Sequence, residues 1–195
     1  AGMCRPGPGN RSGGRRRDDR SGARRRSGKM PGKPVALRTI VTTEMARKVA
    51  ESNGVTCYDT FTGFKFMAEK KNALEAAGEG KVIFSYEESY GYMLGDYVRD
   101  KDAVTASMLL TEMAAWYAAQ GQTLFDALEK LYEKYGHYAE KTHNLVMPGL
   151  DGLKDMAELM KNLRETPPAE ISGVQVVTRK DYTDGSGVDG APAAK

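Results

Sequence analysis

Two carboxylates and a hydroxyl stand just beyond a short apolar segment in the middle of the chain. Residues 82–84 are Val-Ile-Phe, which is typical of a buried strand. Glu87, Glu88 and Ser89 follow, and Gly91 permits a sharp turn. A carboxylate accepts from paired O–H groups and a serine both donates and accepts, so these residues could bind sugar hydroxyls. A solvated acidic turn would contain the same residues, and spacing alone leaves both interpretations open.

Alternating strands and helices surround this segment and must position it. The patterns predict a strand at 36–41, a helix from Thr42 or Thr43 to about Asn53, a strand at 55–58 and a helix from Phe64 to Gly78. This alternation indicates a parallel α/β sheet. Ligands bind beyond the carboxyl ends of strands in such sheets, so the loop after residues 82–84 is the expected site.

The second half of the chain is predicted to be mainly helical. The predicted elements are a helix beginning at Asp100 or Asp102 and ending at Gly121, helices at 123–135 and 151–164, an extended segment at 136–145 and a strand at 174–178.

The composition is that of a folded protein with a core, since 40% of the 195 residues are hydrophobic and 28% are charged. The chain has no apolar run of about 18 residues and no signal-peptide core, so a cytoplasmic location without membrane contact is expected. Cys4 and Cys57 do not suggest a disulfide framework. His137 and His143 lie six residues apart in a Gly- and Tyr-containing connection and are interpreted as ordinary surface or loop residues, so no metal site is expected.

The net charge of +3 is distributed unevenly. Residues 1–30 carry +8 and the remainder −5. Residues 1–33 are rich in Gly, Arg, Ser and Pro and are predicted to be disordered. An arginine-rich tail can bind nucleic acid through phosphates, but this one has no aromatic residue to stack a base, so a solvated tail is favoured. A third interpretation is that the tail is not a native segment.

Three motifs make the pattern specific. They are E-E-S-Y-G at 87–91, G-D-Y-V-R-D-K-D-A at 95–103 and T-F-T-G-F-K-F at 60–66. Together they resemble the phosphohexomutases, the phosphoglucomutase and phosphomannomutase family, across about residues 34–183. The resemblance implies that family's third domain, an α/β fold of three layers with a mixed, mainly parallel sheet between helices.

The resemblance also predicts a division of the chain. The predicted parts are a disordered tail at 1–33, an α/β sugar-binding domain at 34–120, a helical extension toward the fourth domain at 121–183 and a linker-like end at 184–195.

Roles in the sugar loop follow from the resemblance. Glu87 and Ser89 match the carboxylate and hydroxyl that bind O3 and O4 of the sugar in the family. Glu88 fills a variable position where glutamate resembles the glucose-preferring branch. Tyr86 stands where many members have glycine.

The other two motifs supply the remaining candidates. Lys101 resembles a lysine proposed in some members to assist proton transfer, and a helix-start ion pair with Asp100 or Asp102 is the alternative. The candidate substrate-binding residues in the T-G-F-K turn are Thr62, Gly63 and Lys65. Gly63 would allow close backbone approach, and Lys65 would reach a phosphate or sugar oxygen unless its head is merely solvated.

Family members move a phosphoryl group between O1 and O6 of a hexose through a bisphosphate. The family's phosphoserine loop (T-A-S-H-N-P), magnesium loop (D-G-D-x-D-R) and phosphate loop (R-x-S-G-T-E-P) do not occur in residues 1–195. The sequence therefore predicts the sugar-binding part of a phosphoglucomutase, with hexose phosphate and the remaining domains as partners. In the full-length family Mg²⁺ and glucose 1,6-bisphosphate take part, and we expect this chain alone to be inactive.

Alternatives remain open. The loop would also suit a phosphomannomutase or a phosphopentomutase. A non-catalytic module that binds sugar phosphate or nucleic acid, or a domain that folds without binding, would share the same sequence features.

Overall fold

Four strands form one sheet in the computed structural model, which describes residues 30–149 and 151–183. The strands are β1 (Pro34–Thr39), β2 (Thr56–Thr60), β3 (Lys81–Tyr86) and β4 (Tyr92–Met93). Their order is β2-β1-β3-β4. β1 pairs in parallel with β2 and β3, whereas β4 is antiparallel to β3. This arrangement confirms the predicted mixed, mainly parallel sheet.

Five helices accompany the sheet within the described residues. They are α1 (Met45–Ser52), α2 (Phe64–Ala76), α3 (Ala103–Ala118), α4 (Leu124–Tyr135) and α5 (Gly152–Glu165). A separate two-stranded ribbon follows, formed by β5 (Glu170–Ile171) and β6 (Val174–Gln175). Asp102 and Thr123 cap α3 and α4, because their side chains accept from the backbone N–H groups of Val104 and Asp126.

Helices cover both faces of the sheet. All six residues of β1 are buried, as expected for a strand at the centre of a parallel sheet. Ala36 packs with Ala46 and Ala50 of α1 on one face. Leu37 packs with Met67 and other apolar residues of α2 on the opposite face. The predicted three layers are therefore present.

α4 packs against α1. Leu128 and Leu131 pack against Met45 and Val49 in a third apolar cluster. The predicted domain boundary at residue 120 stays a prediction. The predicted disordered tail lies outside the described residues up to residue 29, and the predicted linker-like end at 184–195 also lies outside them.

Residues 136–145, predicted to be extended, form neither a helix nor a strand. Side-chain contacts hold this segment instead. Tyr138 packs against the α1/α4 cluster, and Glu140 accepts a hydrogen bond from the backbone N–H of Glu44 at 3.0 Å. β4 was not predicted, because two residues are too few to produce a period. None of the helices in the described part of the chain combines the length and the apolar character that crossing a membrane requires.

Candidate functional site

The sugar loop and the T-G-F-K turn meet at the carboxyl ends of parallel strands. Glu87 directly follows β3, and Gly63 lies shortly after β2. The Glu87 Oε1 atom accepts a hydrogen bond from the Gly63 backbone N–H at 2.7 Å. Parallel strands end at the same edge of a sheet, and this edge therefore contains residues from two of the predicted motifs.

Gly63 explains why a carboxylate is placed there. Gly63 is the N-cap residue of α2 and has no side chain to accept a hydrogen bond. Glu87, which directly follows β3, instead accepts from the N–H of this N-cap residue itself, as the glutamate of a capping box does, and its negative charge is favourable beside the positive end of a helix. The Glu87 residue is only 7% exposed. The helix start thus fixes one oxygen of Glu87 and directs the orientation of the other.

Ser89 and Gly91 complete the loop. The Ser89 hydroxyl donates to Glu87 Oε2 over 3.4 Å, which is a long hydrogen bond. The Glu87 backbone N–H donates to the Gly91 carbonyl at 2.9 Å and closes the connection from β3 to β4. Between them Tyr90 has a φ of 68°, in the left-handed region, and its residue is 60% exposed.

Glu88 points to a different part of the sheet edge. Its Oε2 atom accepts hydrogen bonds from the hydroxyls of Thr39, at 3.0 Å, and Thr42, at 3.5 Å. Thr39 is the last residue of β1. The adjacent glutamates therefore join β3 to two different elements, a division that the sequence did not predict.

Lys101 lies just before α3 and has both an anionic and an aromatic neighbour. Its Nζ atom is 3.3 Å from Asp100 Oδ1 and 5.7 Å from the centre of the Phe64 ring. The backbone N–H of Lys101 and then its ammonium donate to Asp100, and these hydrogen bonds lower the pKa of that carboxyl. The ion pair considered for Lys101 is thus present with Asp100, and the ring contact was not predicted.

Thr62 and Lys65 flank the Gly63–Phe64 pair and are both exposed. The Lys65 Nζ atom lies 5.9 Å from the centre of the Phe66 ring. Their positions leave both side chains accessible at the same turn as Gly63, and their binding roles stay predictions.

A buried ion-pair network lies under the sheet edge, and sequence reasoning missed it. Arg38 Nε is 2.7 Å from Asp59 Oδ1, and Arg47 Nη2 is 2.8 Å from Asp59 Oδ2. Arg38 also pairs with Glu44. Burial opposes the charge of Arg38, but Asp59 and Glu44 outweigh it and raise the pKa of the guanidinium. The available signal was a charged residue within the apolar strand at 36–41.

No large cluster of metal-ligating side chains occurs in the described part of the chain. Residues 30–149 and 151–183 contain no group of three or more His, Cys, Asp or Glu side chains arranged to hold a metal ion. A cavity of about 530 Å³ lies between α5 and residues 179–183, and none of the predicted site residues lines it.

The comparisons with known proteins agree on one family. A family model described as phosphoglucomutase/phosphomannomutase, alpha/beta/alpha domain III, matches residues 21–135. A phosphoglucomutase of Staphylococcus aureus is 36% identical over 146 residues, which are 75% of this chain and 26% of that protein. A phosphoglucomutase of Staphylococcus haemolyticus is 33% identical over 153 residues, covering 78% of this chain and 28% of that protein.

A solved structure has the same fold. A Thermus thermophilus protein described as a phosphomannomutase superposes with a TM-score of 0.50 and 21% identity, over 67% of this chain and 26% of that one. This chain spans about a quarter of the length of the curated relatives it matches. The match over 21–135 takes in the strands β1 to β4 and the loop that contains Glu87, and this chain therefore belongs to the phosphoglucomutase/phosphomannomutase family through its third, α/β/α domain.

Proposed function

We propose that this chain supplies the sugar-binding loop of an enzyme that interconverts glucose 1-phosphate and glucose 6-phosphate. The observation that carries the proposal is the fixed carboxylate of Glu87 at the carboxyl edge of the sheet, within a matched family domain. This edge is the general location of ligands in α/β folds.

Glu87 and Ser89 bind neighbouring hydroxyls of the sugar. Gly63 holds Glu87 Oε1, so Oε2 is the oxygen that accepts from the sugar. The hydrogen bond from Ser89 to Oε2 is 3.4 Å long and is readily exchanged for a shorter one to a hydroxyl. The charged acceptor makes the bond to the sugar stronger than a neutral one.

The cationic residues bind the phosphate end or its neighbouring oxygens. Lys101 and Lys65 are exposed, and they belong to the two motifs that adjoin the sugar loop. Thr62 adds a hydroxyl at the same turn, and Gly63 leaves its backbone open to close approach. Lys101 is in addition the candidate for assisting proton transfer to the sugar hydroxyl.

Phosphoryl transfer needs groups beyond these residues. Phosphoglucomutases use Mg²⁺ and pass through glucose 1,6-bisphosphate, and the described residues offer no metal cluster. We therefore propose that residues 1–195 bind sugar phosphate without converting it. Formation of glucose 6-phosphate from glucose 1-phosphate by the purified chain would contradict this statement.

The binding proposal is tested by titrating the chain with glucose 1-phosphate and following backbone amides by NMR. We expect saturable shifts at Gly63, Glu87 and Ser89, and weaker binding in Glu87→Gln. Glu79→Gln is the matched control, because Glu79 is exposed and precedes β3, at the opposite edge of the sheet. No saturable shift in the wild-type chain, or equal affinity in Glu87→Gln, would overturn the proposal.

The sugar preference is tested in the same assay. Glu88 is fixed by Thr39 and Thr42 and so presents one orientation to the site. We propose that glucose 1-phosphate binds more tightly than mannose 1-phosphate or ribose 1-phosphate. Tighter binding of either competitor would favour the corresponding mutase.

A further inference from the structure

Phe64 is the first residue of α2 and lies between two parts of the candidate site. The residue is 5% exposed and packs with Leu37 and Met67 in the core. Its ring nevertheless contacts residues from both sides of the site. Because the ring is held in the core, it can restrict the positions of polar side chains that contact it.

The first contact is with Lys101. The Lys101 ammonium lies 5.7 Å from the centre of the Phe64 ring, within the range of cation–π attraction. The Lys101 side chain is 65% exposed, and its one ion pair in the described residues is with Asp100 at 3.3 Å. A lysine side chain has a flexible four-carbon stem, so such a surface position alone would leave the ammonium poorly defined.

The second contact is with the sugar loop. A Cβ atom at Gly91 would lie 2.5 Å from Phe64 Cε2 and 3.1 Å from Cζ, and 3.2 Å from Glu87 Oε2. The backbone of the loop therefore lies so close to the ring that a residue with a Cβ atom would clash with it. The Phe64 ring, the Gly91 backbone and the Glu87 carboxylate meet at one place.

We propose that Phe64 is a positioning residue that holds the Lys101 ammonium next to the loop at 87–91. This inference rests on the proposed function, since it assigns the ammonium to the anionic end of the sugar phosphate. The ring restricts Lys101 before the ligand arrives and so reduces the entropy lost on binding. Phe64 acts through Lys101 and does not itself bind the phosphate.

The first measurement needs no ligand. In the wild-type chain, the Cε protons of Lys101, assigned with Lys101→Met, should be shifted upfield by the ring current of Phe64. The shift should disappear in Phe64→Leu. Tyr58→Leu is the matched control. The Lys70 Nζ atom lies 4.7 Å from the centre of the Tyr58 ring in a similar cation–π pair, and Tyr58 lies outside the loop. Lys101 should keep its shift in that variant.

The second measurement is a double-mutant cycle on glucose 1-phosphate affinity. Phe64→Leu should weaken binding about two- to five-fold, as expected for loss of an exposed cation–π contact. In the Lys101→Met background the same substitution should have no further effect. Tyr58→Leu should leave affinity unchanged in both backgrounds.

The outcomes separate this inference from the proposed function. Absence of the ring-current shift in the wild-type chain overturns the positioning role, even if Phe64→Leu does not fold. Equal weakening by Phe64→Leu with and without Lys101 also overturns it, because the effect would then be structural. Absence of binding by the wild-type chain overturns the proposed function, and the assigned use of the ammonium with it, whatever the ring-current shift.

Discussion

The Glu87 carboxylate accepts the backbone N–H of Gly63 at 2.7 Å, and this bond joins the end of β3 to the start of α2. The two residues are 24 positions apart, and parallel pairing with β1 brings their strands to the same edge. One side chain therefore both caps a helix and presents an oxygen toward the site. A substitution at Glu87 should therefore affect both stability and binding, to an extent that depends on whether an acceptor oxygen is kept.

Glu87→Ala should lower the free energy of unfolding by about 1–3 kcal/mol, because the N–H of Gly63 loses its acceptor in a part-buried position. Glu87→Gln keeps an acceptor oxygen and should lose about 1 kcal/mol or less. Urea unfolding followed by circular dichroism measures both. If the two variants unfold at the same urea concentration, the helix-capping role of Glu87 is wrong.

The buried pair of Arg38 and Asp59 should matter more to folding than to binding. Asp59→Ala leaves Arg38, which is 1% exposed, with Glu44 and the backbone carbonyl of Thr42 as its partners, and breaking a buried pair costs about 3–5 kcal/mol. Urea unfolding tests this loss. The double variant with Arg38→Met should recover part of the stability, because no buried charge then remains unpaired.

A double variant no more stable than Asp59→Ala would contradict this account. Glu79→Gln again serves as a control, since Glu79 is exposed and should change stability by less than about 0.5 kcal/mol.

Sequence patterns were sufficient for the parallel strands and for placing the T-G-F-K turn near the sugar loop. Both depend on periodicity and on the rule that parallel strands end at one edge. The Thr39 and Thr42 partners of Glu88 are 49 and 46 residues away, and nothing local indicates which of two adjacent glutamates turns toward them. Such choices are made by the three-dimensional packing.

The same reason explains why the Phe64 and Lys101 contact was missed. Phe64 follows an N-cap glycine, and the sequence pattern predicts it to be the first apolar residue of a helix, as the structure shows. Its contact with Lys101 depends on how α3 begins beside β4, where the backbone N–H of Asp102 donates to the Tyr92 carbonyl at 2.9 Å. A strand of two residues gives no sequence signal for that placement.

Asp96 should make stability depend on pH in the acid range. Hydrogen bonds from Lys71 and then Lys81 lower the pKa of Asp96 from 3.8 to about 2. A depressed pKa means that the unfolded chain binds the proton more readily, so the stabilisation is complete above about pH 4 and is lost as the pH falls toward 2. Asp96→Asn removes this dependence.

The measurement is the free energy of unfolding in urea from pH 5 to pH 2 at low salt, because the Asp96 side chain is 55% exposed and salt screens it. The difference between wild type and Asp96→Asn should shrink as the pH falls. Lys81→Met is the partner control and should reduce the effect in part, since Lys71 remains at 2.7 Å. A difference that is constant with pH would contradict the assignment to Asp96.

Substitutions at Tyr90, at the tip of the loop, can distinguish the cost of backbone strain from the contribution of the side chain. Its φ of 68° is in the left-handed region, which costs a residue with a Cβ about 1–2 kcal/mol relative to glycine. Tyr90→Gly should therefore raise the free energy of unfolding by up to about 1 kcal/mol, because added freedom in the unfolded chain offsets part of the relief. Tyr90→Ala is the matched control, since it removes the ring and retains the strain. Urea unfolding should rank Tyr90→Gly above Tyr90→Ala. Because neither variant has the ring, the reverse order would contradict backbone strain at residue 90.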